Sequence, residues 1–159
     1  MSQRSPLARA AVAVLVVAAV GALASCAGSP RKGEPGYQMV RSWGGPGSAP
    51  GQFSDPNGIT VAGDRVYVAD SRNHRIQVFT RDGAFVEQWA VPDEGRPMNL
   101  DTGHGQLYAA DYWNDVVRVY ARDTGALIRS VGGPGSGPGE LKNPGGVAVG
   151  SAGHLFVAD

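Results

Sequence analysis

The chain has 159 residues carrying 14 basic and 14 acidic side chains, so it lacks the basic surplus with which a protein neutralises a phosphate backbone, and charge argues against a nucleic-acid partner. Its single cysteine excludes an intramolecular disulfide. The length allows one domain with a real core, provided the leading segment is set aside first.

That segment has its own grammar. Met1 to Arg9 carries Arg4 and Arg9 and no acid, and Ala10 to Ala24 is an unbroken run of small and apolar residues. "LASC" (Leu23 to Cys26) follows directly, which completes the three regions of a secretory signal peptide over residues 1–25. An apolar run of 15 residues falls short of the roughly 20 that a spanning helix needs. The tetrapeptide resembles the lipobox of bacterial lipoproteins, and the resemblance implies that Cys26 is acylated and becomes the mature N-terminus. Acyl chains contribute about 0.8 kcal/mol per buried methylene, so two or more would anchor the protein to a membrane without spanning it. Residues 26–37, rich in Gly, Pro and charge, read as the attachment site and a flexible tether. The expected location is the cell envelope. Without residues 1–25 the balance is 12 basic against 14 acidic side chains.

From residue 38 to 159 the chain repeats itself, and repetition decides the fold. "NGITVAGDRVYVADSRNHRIQVFTRDGAFVEQWA" (57–90) aligns with "MNLDTGHGQLYAADYWNDVVRVYARDTGALIRSV" (98–131) and then with "GGVAVGSAGHLFVAD" (145–159). Asp70, Asp111 and Asp159 fall in register, at intervals of 41 and 48 residues. The connecting loop is duplicated as well: "RSWGGPGSAPGQFSDP" (41–56) matches "RSVGGPGSGPGELKNP" (129–144), each with its final proline 13 residues after Trp43 or Val131. Within a copy the alternation has period two, as in "RVYVAD", where Val66, Val68 and Asp70 oppose Arg65, Tyr67 and Ala69. The first copy predicts strands at about Gly58 to Val61, Val66 to Ala69, Arg75 to Thr80 and Phe85 to Trp89. Four antiparallel strands every ~40 to 45 residues make a propeller blade.

The stretch "DPNGITVAGDRVYVADSRNHRIQVF" resembles the NHL repeat through Pro56, Gly58, Tyr67, Val68, Ala69, Asp70, Asn73, His74, Arg75 and Ile76. The second copy keeps Pro97, Tyr108, Ala110, Asp111 and Asn114 and replaces the His-Arg-Ile step with Asp115, Val116 and Val117. The resemblance implies an all-β, NHL-type β-propeller of about six blades when complete. This chain would supply roughly two and a half blades, with a leading outer strand at about Gln38 to Trp43. A ring cut within a blade exposes faces and an unpaired edge at Leu155 to Asp159, so the expectation is an N-terminal fragment of a longer protein, the competing arrangement being closure by oligomerisation.

In this strand order the duplicated loops open on the same face as the turns between second and third strands. Arg72, Asn73, Tyr112, Trp113 and Asn114 are therefore the candidate binding face for a protein, peptide or glycan. Asp70, Asp111 and Asp159 recur with the repeat and are followed by Asn three residues later where the chain extends, which points to turn capping rather than to metal ligation. His74 belongs to the repeat, and His104 and His154 fall in turns on the opposite face. Asp93 and Glu94 read as solvated loop charges. No metal-ligand spacing or catalytic arrangement is present, so no cofactor is expected and the primary reading is an interaction scaffold. The alternative is a metal-dependent propeller enzyme. In the peptidyl-hydroxyglycine amidating lyase, which resembles NHL proteins, zinc-binding histidines precede the first strand of a blade; here Asn57, Met98 and Gly145 hold those positions. A lactonase-like site lacks acids in the first strands, Asp101 excepted. Either activity would have to draw its active residues from further blades.

Overall fold

The computed structural model describes residues 36 and 38–159; the signal segment 1–25, Cys26 and nearly all of the tether lie outside the described residues. The chain divides into Met1–Val40 and Arg41–Asp159, and the fold below is that of the second unit.

Ten strands form three antiparallel sheets. The first contains β1 (Pro56–Ala62), β2 (Arg65–Asp70), β3 (Arg75–Thr80) and β4 (Phe85–Ala90), hydrogen-bonded in that order. The second repeats it with β5 (Pro97–Gly103), β6 (Gln106–Asp111), β7 (Val116–Ala121) and β8 (Leu127–Gly132). β9 (Gly146–Val149) and β10 (Leu155–Ala158) pair as a third, two-stranded sheet. The period-two reading located every strand of the first copy to within two residues. Even the irregularities recur: the register shifts after Pro56 and after Pro97, where a residue without an N–H interrupts the ladder, and again at Val78/Phe79 and Val119/Tyr120.

First strands lie side by side, β1 against β5 and β5 against β9, which is the blade arrangement of a β-propeller. They approach closely at Gly58, where an added Cβ would stand 2.8 Å from the Asn99 Cα and 2.9 Å from the Met98 carbonyl oxygen. On the other side, Asn99 accepts the Val147 N–H at 3.1 Å and Asp101 accepts the Val149 N–H at 2.7 Å. Asp101, the acid that stood out in the first strands, thus ties one sheet to the next.

The second and third strands of the first two sheets are buried on both faces, so alternation there selects a neighbour rather than separating core from solvent. Tyr67, Ala69, Ile76, Val78, Trp89, Leu107, Ala109 and Tyr120 fill the space between the first and second sheets. Tyr108, Ala110, Val117 and Val119 face the third, against Val147, Val149, Leu155 and Val157. Each large apolar side chain fully buried there contributes roughly 1.5–3 kcal/mol.

The predicted leading strand does not form: Gln38–Trp43 has no strand conformation. An outer strand needs the free edge of a third strand, and β3 and β7 are each already paired on both sides. Trp43 nevertheless occupies the place of an outer-strand residue. Its ring lies 4.4 Å from that of Phe79 and over Gly83, as Trp89 stacks on Tyr120 at 6.1 Å and lies over Gly125. With Phe53, Trp43 covers Val66, Val68 and Phe79, the face of the first sheet turned away from the second.

The Trp89–Tyr120 stack carries a pH signature. Tyr120 is 1% exposed and its hydroxyl has no partner among the described residues. Burial, opposed by the nearby Arg118, pushes its pKa up to about 12 from the ordinary 10.0. The unfolded chain therefore loses this proton first, and the stabilisation held below pH 10 is lost as pH rises toward about 12, at up to about 1.4 kcal/mol per pH unit. Denaturant midpoints at pH 8 and pH 11 should diverge more in the native chain than in Tyr120→Phe. Equal divergence would refute the assignment.

Candidate functional site

The loop-bearing end of the sheets is built around buried aspartates. Asp70 ends β2 with no solvent exposure, and its carboxylate accepts four hydrogen bonds: from the Ser54 N–H at 2.7 Å, Asn73 Nδ2 at 2.8 Å, Arg75 Nε at 2.8 Å and Gln77 Nε2 at 3.0 Å. Asp111 repeats the design, accepting from the Arg96 N–H at 2.8 Å, Asn114 Nδ2 at 3.0 Å and Arg118 Nε at 2.8 Å. The third aspartate keeps one element, since Asp159 accepts the Lys142 N–H at 3.0 Å. With their oxygens taken by protein donors, Asp70 and Asp111 organise turns and incoming loops, as their recurrence implied.

The arginines of these pairs were missed in the sequence because they do not align. Arg75 stands five residues after its aspartate and Arg118 seven, so Arg118 falls opposite Gln77 in the alignment, yet its guanidinium reaches the same carboxylate position. Both also hold the incoming loop: Arg75 donates to the Ala49 and Gln52 carbonyls, and Arg118 to the Pro92 carbonyl and the Asp93 carboxylate. Burial acts against the charged Arg118, but the hydrogen bond and charge of Asp111 outweigh it and hold the guanidinium above its ordinary value. Asp93, read as a solvated charge, is three-quarters exposed but lies 3.1 Å from Arg118.

The duplicated loops are one structure built twice. In the first, the Gly47 N–H donates to the Phe53 carbonyl and the Phe53 N–H to the Gly45 carbonyl; in the second, Gly135 donates to Leu141 and Leu141 to Gly133. Gln52 accepts the Ala49 N–H, and Glu140 in its place accepts the Gly137 N–H. Gly44 and Gly132, at φ +88° and +89°, let Phe53 and Leu141 lie directly on the chain, where a side chain would collide with them and the backbone would be strained.

Of the five candidate residues, two are spent on this framework. Asn73 donates to the Gly47 carbonyl as well as to Asp70, and Asn114 to the Asp93 carbonyl as well as to Asp111. Arg72 is exposed, its Nε 3.4 Å from the Asp55 carboxylate. Tyr112 and Trp113 are 37% and 60% exposed, on a turn clamped from both sides. The Tyr112 N–H donates to the Arg96 carbonyl, and its carbonyl accepts from Asn143 Nδ2, while Asp115 accepts the Asn143 N–H. The Arg96 guanidinium lies over the Trp113 ring at 4.9 Å, a cation–π contact that fixes the indole while leaving most of it in solvent. His74, read as part of the repeat, stands in the turn before β3 at φ 52° with Nδ1 3.1 Å from the Gly95 carbonyl. His104 and His154 lie between first and second strands at the far end of the sheets.

Residues 53–79 match the NHL repeat family. The matched NHL stretch runs from Phe53 of the incoming loop through β1, β2 and β3, and so takes in Asp70, Asn73, Arg75 and Gln77, the whole of the first aspartate centre. Over 36 residues the chain is 53% identical to the B-box type zinc finger protein ncl-1 of Caenorhabditis elegans, a match covering 22% of this chain and 4% of that one. Over 40 residues it is 48% identical to Protein brain tumor of Drosophila melanogaster, covering 24% and 4%. Among solved structures, hydrazine synthase of Kuenenia stuttgartiensis superposes with a TM-score of 0.55 at 18% identity, over 72% of this chain and 32% of that one. A computationally designed protein gives a TM-score of 0.51 at 14% identity, over 64% and 29%. At these identities the likeness is one of fold. The NHL repeat is thus set in a partial propeller, and the chain spans only a small part of the curated relatives that it matches.

Proposed function

We propose that this chain is an NHL-type propeller scaffold, exported and held at the cell envelope by lipid on Cys26, whose loop face binds a protein or peptide partner. The observation that carries the binding reading is the exposed Tyr112–Trp113 pair on a turn clamped by two loops, with Arg96 beneath the indole. Large rigid aromatic surface lost from water at low entropy cost is what binding hot spots are made of, and Trp, Tyr and Arg are their commonest residues. Arg72 on the neighbouring turn extends the same face with a second cation. The aspartate centres are the supports that hold this surface still, since their polar groups are turned inward.

A random peptide library selected on the full chain tests this. Peptides recovered on the native protein should lose about tenfold or more in affinity for Trp113→Ala, as hot-spot truncation costs about 2 kcal/mol. Peptides that bind both forms equally would place the partner elsewhere. The anchor is tested separately: expressed in a bacterium fed labelled palmitate, the native chain should carry the label and partition with membranes, and Cys26→Ala should do neither.

A further inference from the structure

Each sheet meets the next through one repeated seam. Tyr67 and Ala69 of the first sheet share a core with Leu100, Leu107 and Ala109 of the second, and Tyr108 and Ala110 of the second share one with Val147, Val149 and Val157 of the third. The strand registers make the sets equivalent. Thr60 pairs with Tyr67, Asp101 with Tyr108 and Ala148 with Phe156, whereas Ile59 pairs with Val68, Leu100 with Ala109 and Val147 with Val157.

Two halves of that seam stand uncovered among the described residues. On the third sheet Phe156 holds the place of Tyr67 and Tyr108, and Ala158 that of Ala69 and Ala110; Phe156 is 62% exposed where Tyr67 is 3%. A recess of about 370 Å³ opens there over Gly146, Ala148, Phe156 and Ala158. On the first sheet Ile59 and Val61 hold the places of Val147 and Val149, and are 63% and 51% exposed. The outer part of this second half is already seated. Trp43 and Phe53 lie on Val66, Val68 and Phe79, just as their counterparts Val131 and Leu141 lie in the seam between the second and third sheets. What the first sheet lacks is the inner surface, an aromatic ring with alanines beside it, and the third sheet presents that surface bare.

We propose that a second copy of the chain supplies it, the third sheet of one copy docking on the first sheet of the other and remaking the seam between chains. Such a head-to-tail contact either closes into a ring or propagates. With three sheets in each copy, two copies close at six, within the four to eight of known propellers, and three copies would exceed it, so the closed pair is the assembly. This surface is distinct from the aromatic loop face and stands or falls independently of it. The full chain carrying Cys26→Ala, which removes the proposed lipid site and the native thiol, should sediment at twice its 16.4 kDa mass. Ile59→Asp and Phe156→Asp, both at exposed positions that one copy does not need for its own core, should each weaken pairing about a hundredfold or more and give monomers. The register is testable too: Asp101 reaches the Val149 N–H at 2.7 Å, so the seam between copies sets Ala148, its counterpart, against Val61. Chains with Val61→Cys mixed with chains with Ala148→Cys should oxidise to a linked pair, neither linking to itself, and a chain carrying both should stop at the pair. A monomeric parent chain, pairing that survives either aspartate variant, absence of the mixed link, self-linking of a single-cysteine chain, or a ladder of linked chains would overturn the assignment.

Discussion

Replacing Asp70 with alanine should lower the unfolding free energy by about 3–5 kcal/mol, because it leaves the Arg75 guanidinium buried without its counter-charge. That side chain is 8% exposed, and Asn73, Gln77 and the Ser54 N–H would lose their acceptor together. The loss should reach the incoming loop, since Arg75 also holds the Ala49 and Gln52 carbonyls. Denaturant titration of native and variant chains measures the stability change, and hydrogen exchange at Gly47 and Phe53 reports whether the loop opens. Asp70→Asn keeps the shape and some of the hydrogen bonds, and should cost less. A change below about 1 kcal/mol for the alanine variant would show that the carboxylate is not the organising centre.

Gly58→Val is the second large effect. The site has no room: a Cβ there meets the Asn99 and Met98 backbone and the Leu100 nitrogen at 2.8 to 3.0 Å, and backbone cannot step aside as a side chain would. Overpacking of this kind costs about 1–3 kcal/mol, and the upper end is expected here because β1 and β5 must separate along their length. The readout is Trp89 fluorescence, as the indole sits between the two sheets that would be pried apart. Gly63→Ala is the control, since nothing lies within 4 Å of the added carbon, though its φ of +59° adds a local strain. Equal effects at the two glycines would mean that close approach of the first strands does not limit stability.

Strand positions were legible in the sequence because β-branched and aromatic residues alternate between Gly, Pro and Asn/Asp turns, and the repeat supplied each reading twice. The leading strand was not, because an outer strand depends on an edge that its own residues do not encode. Trp43 shows the limit: it packs on Phe79 in the place of an outer-strand residue while its backbone forms no strand. The recurrence of Asp70 and Asp111 marked them as structural. Their arginine partners were hidden by the shift from fifth to seventh position, which a search by column cannot see and a search for a cation on the adjoining strand could. Asn73 and Asn114 illustrate a different gap, since exposure at a turn was inferable but the direction of the amide was not.

The polar bonds that leave the loop from Gly45 to Asp55 run forward, to Asp70, Ser71, Arg72, Asn73, Arg75 and Gln77 of the sheet that follows it, and none runs back among the described residues. A gene segment that opens at Arg41 and closes after Ala90 would therefore carry a finished loop together with everything that fastens it. One that opened at Pro56 would strand Asp70 and Arg75 among carbonyls and N–H groups left behind. For this copy, the unit that can be copied, lost or transplanted intact is the sheet with the loop before it; the second loop is fastened both ways, Lys142 forward to Asp159 and Asn143 back to Tyr112 and Asp115.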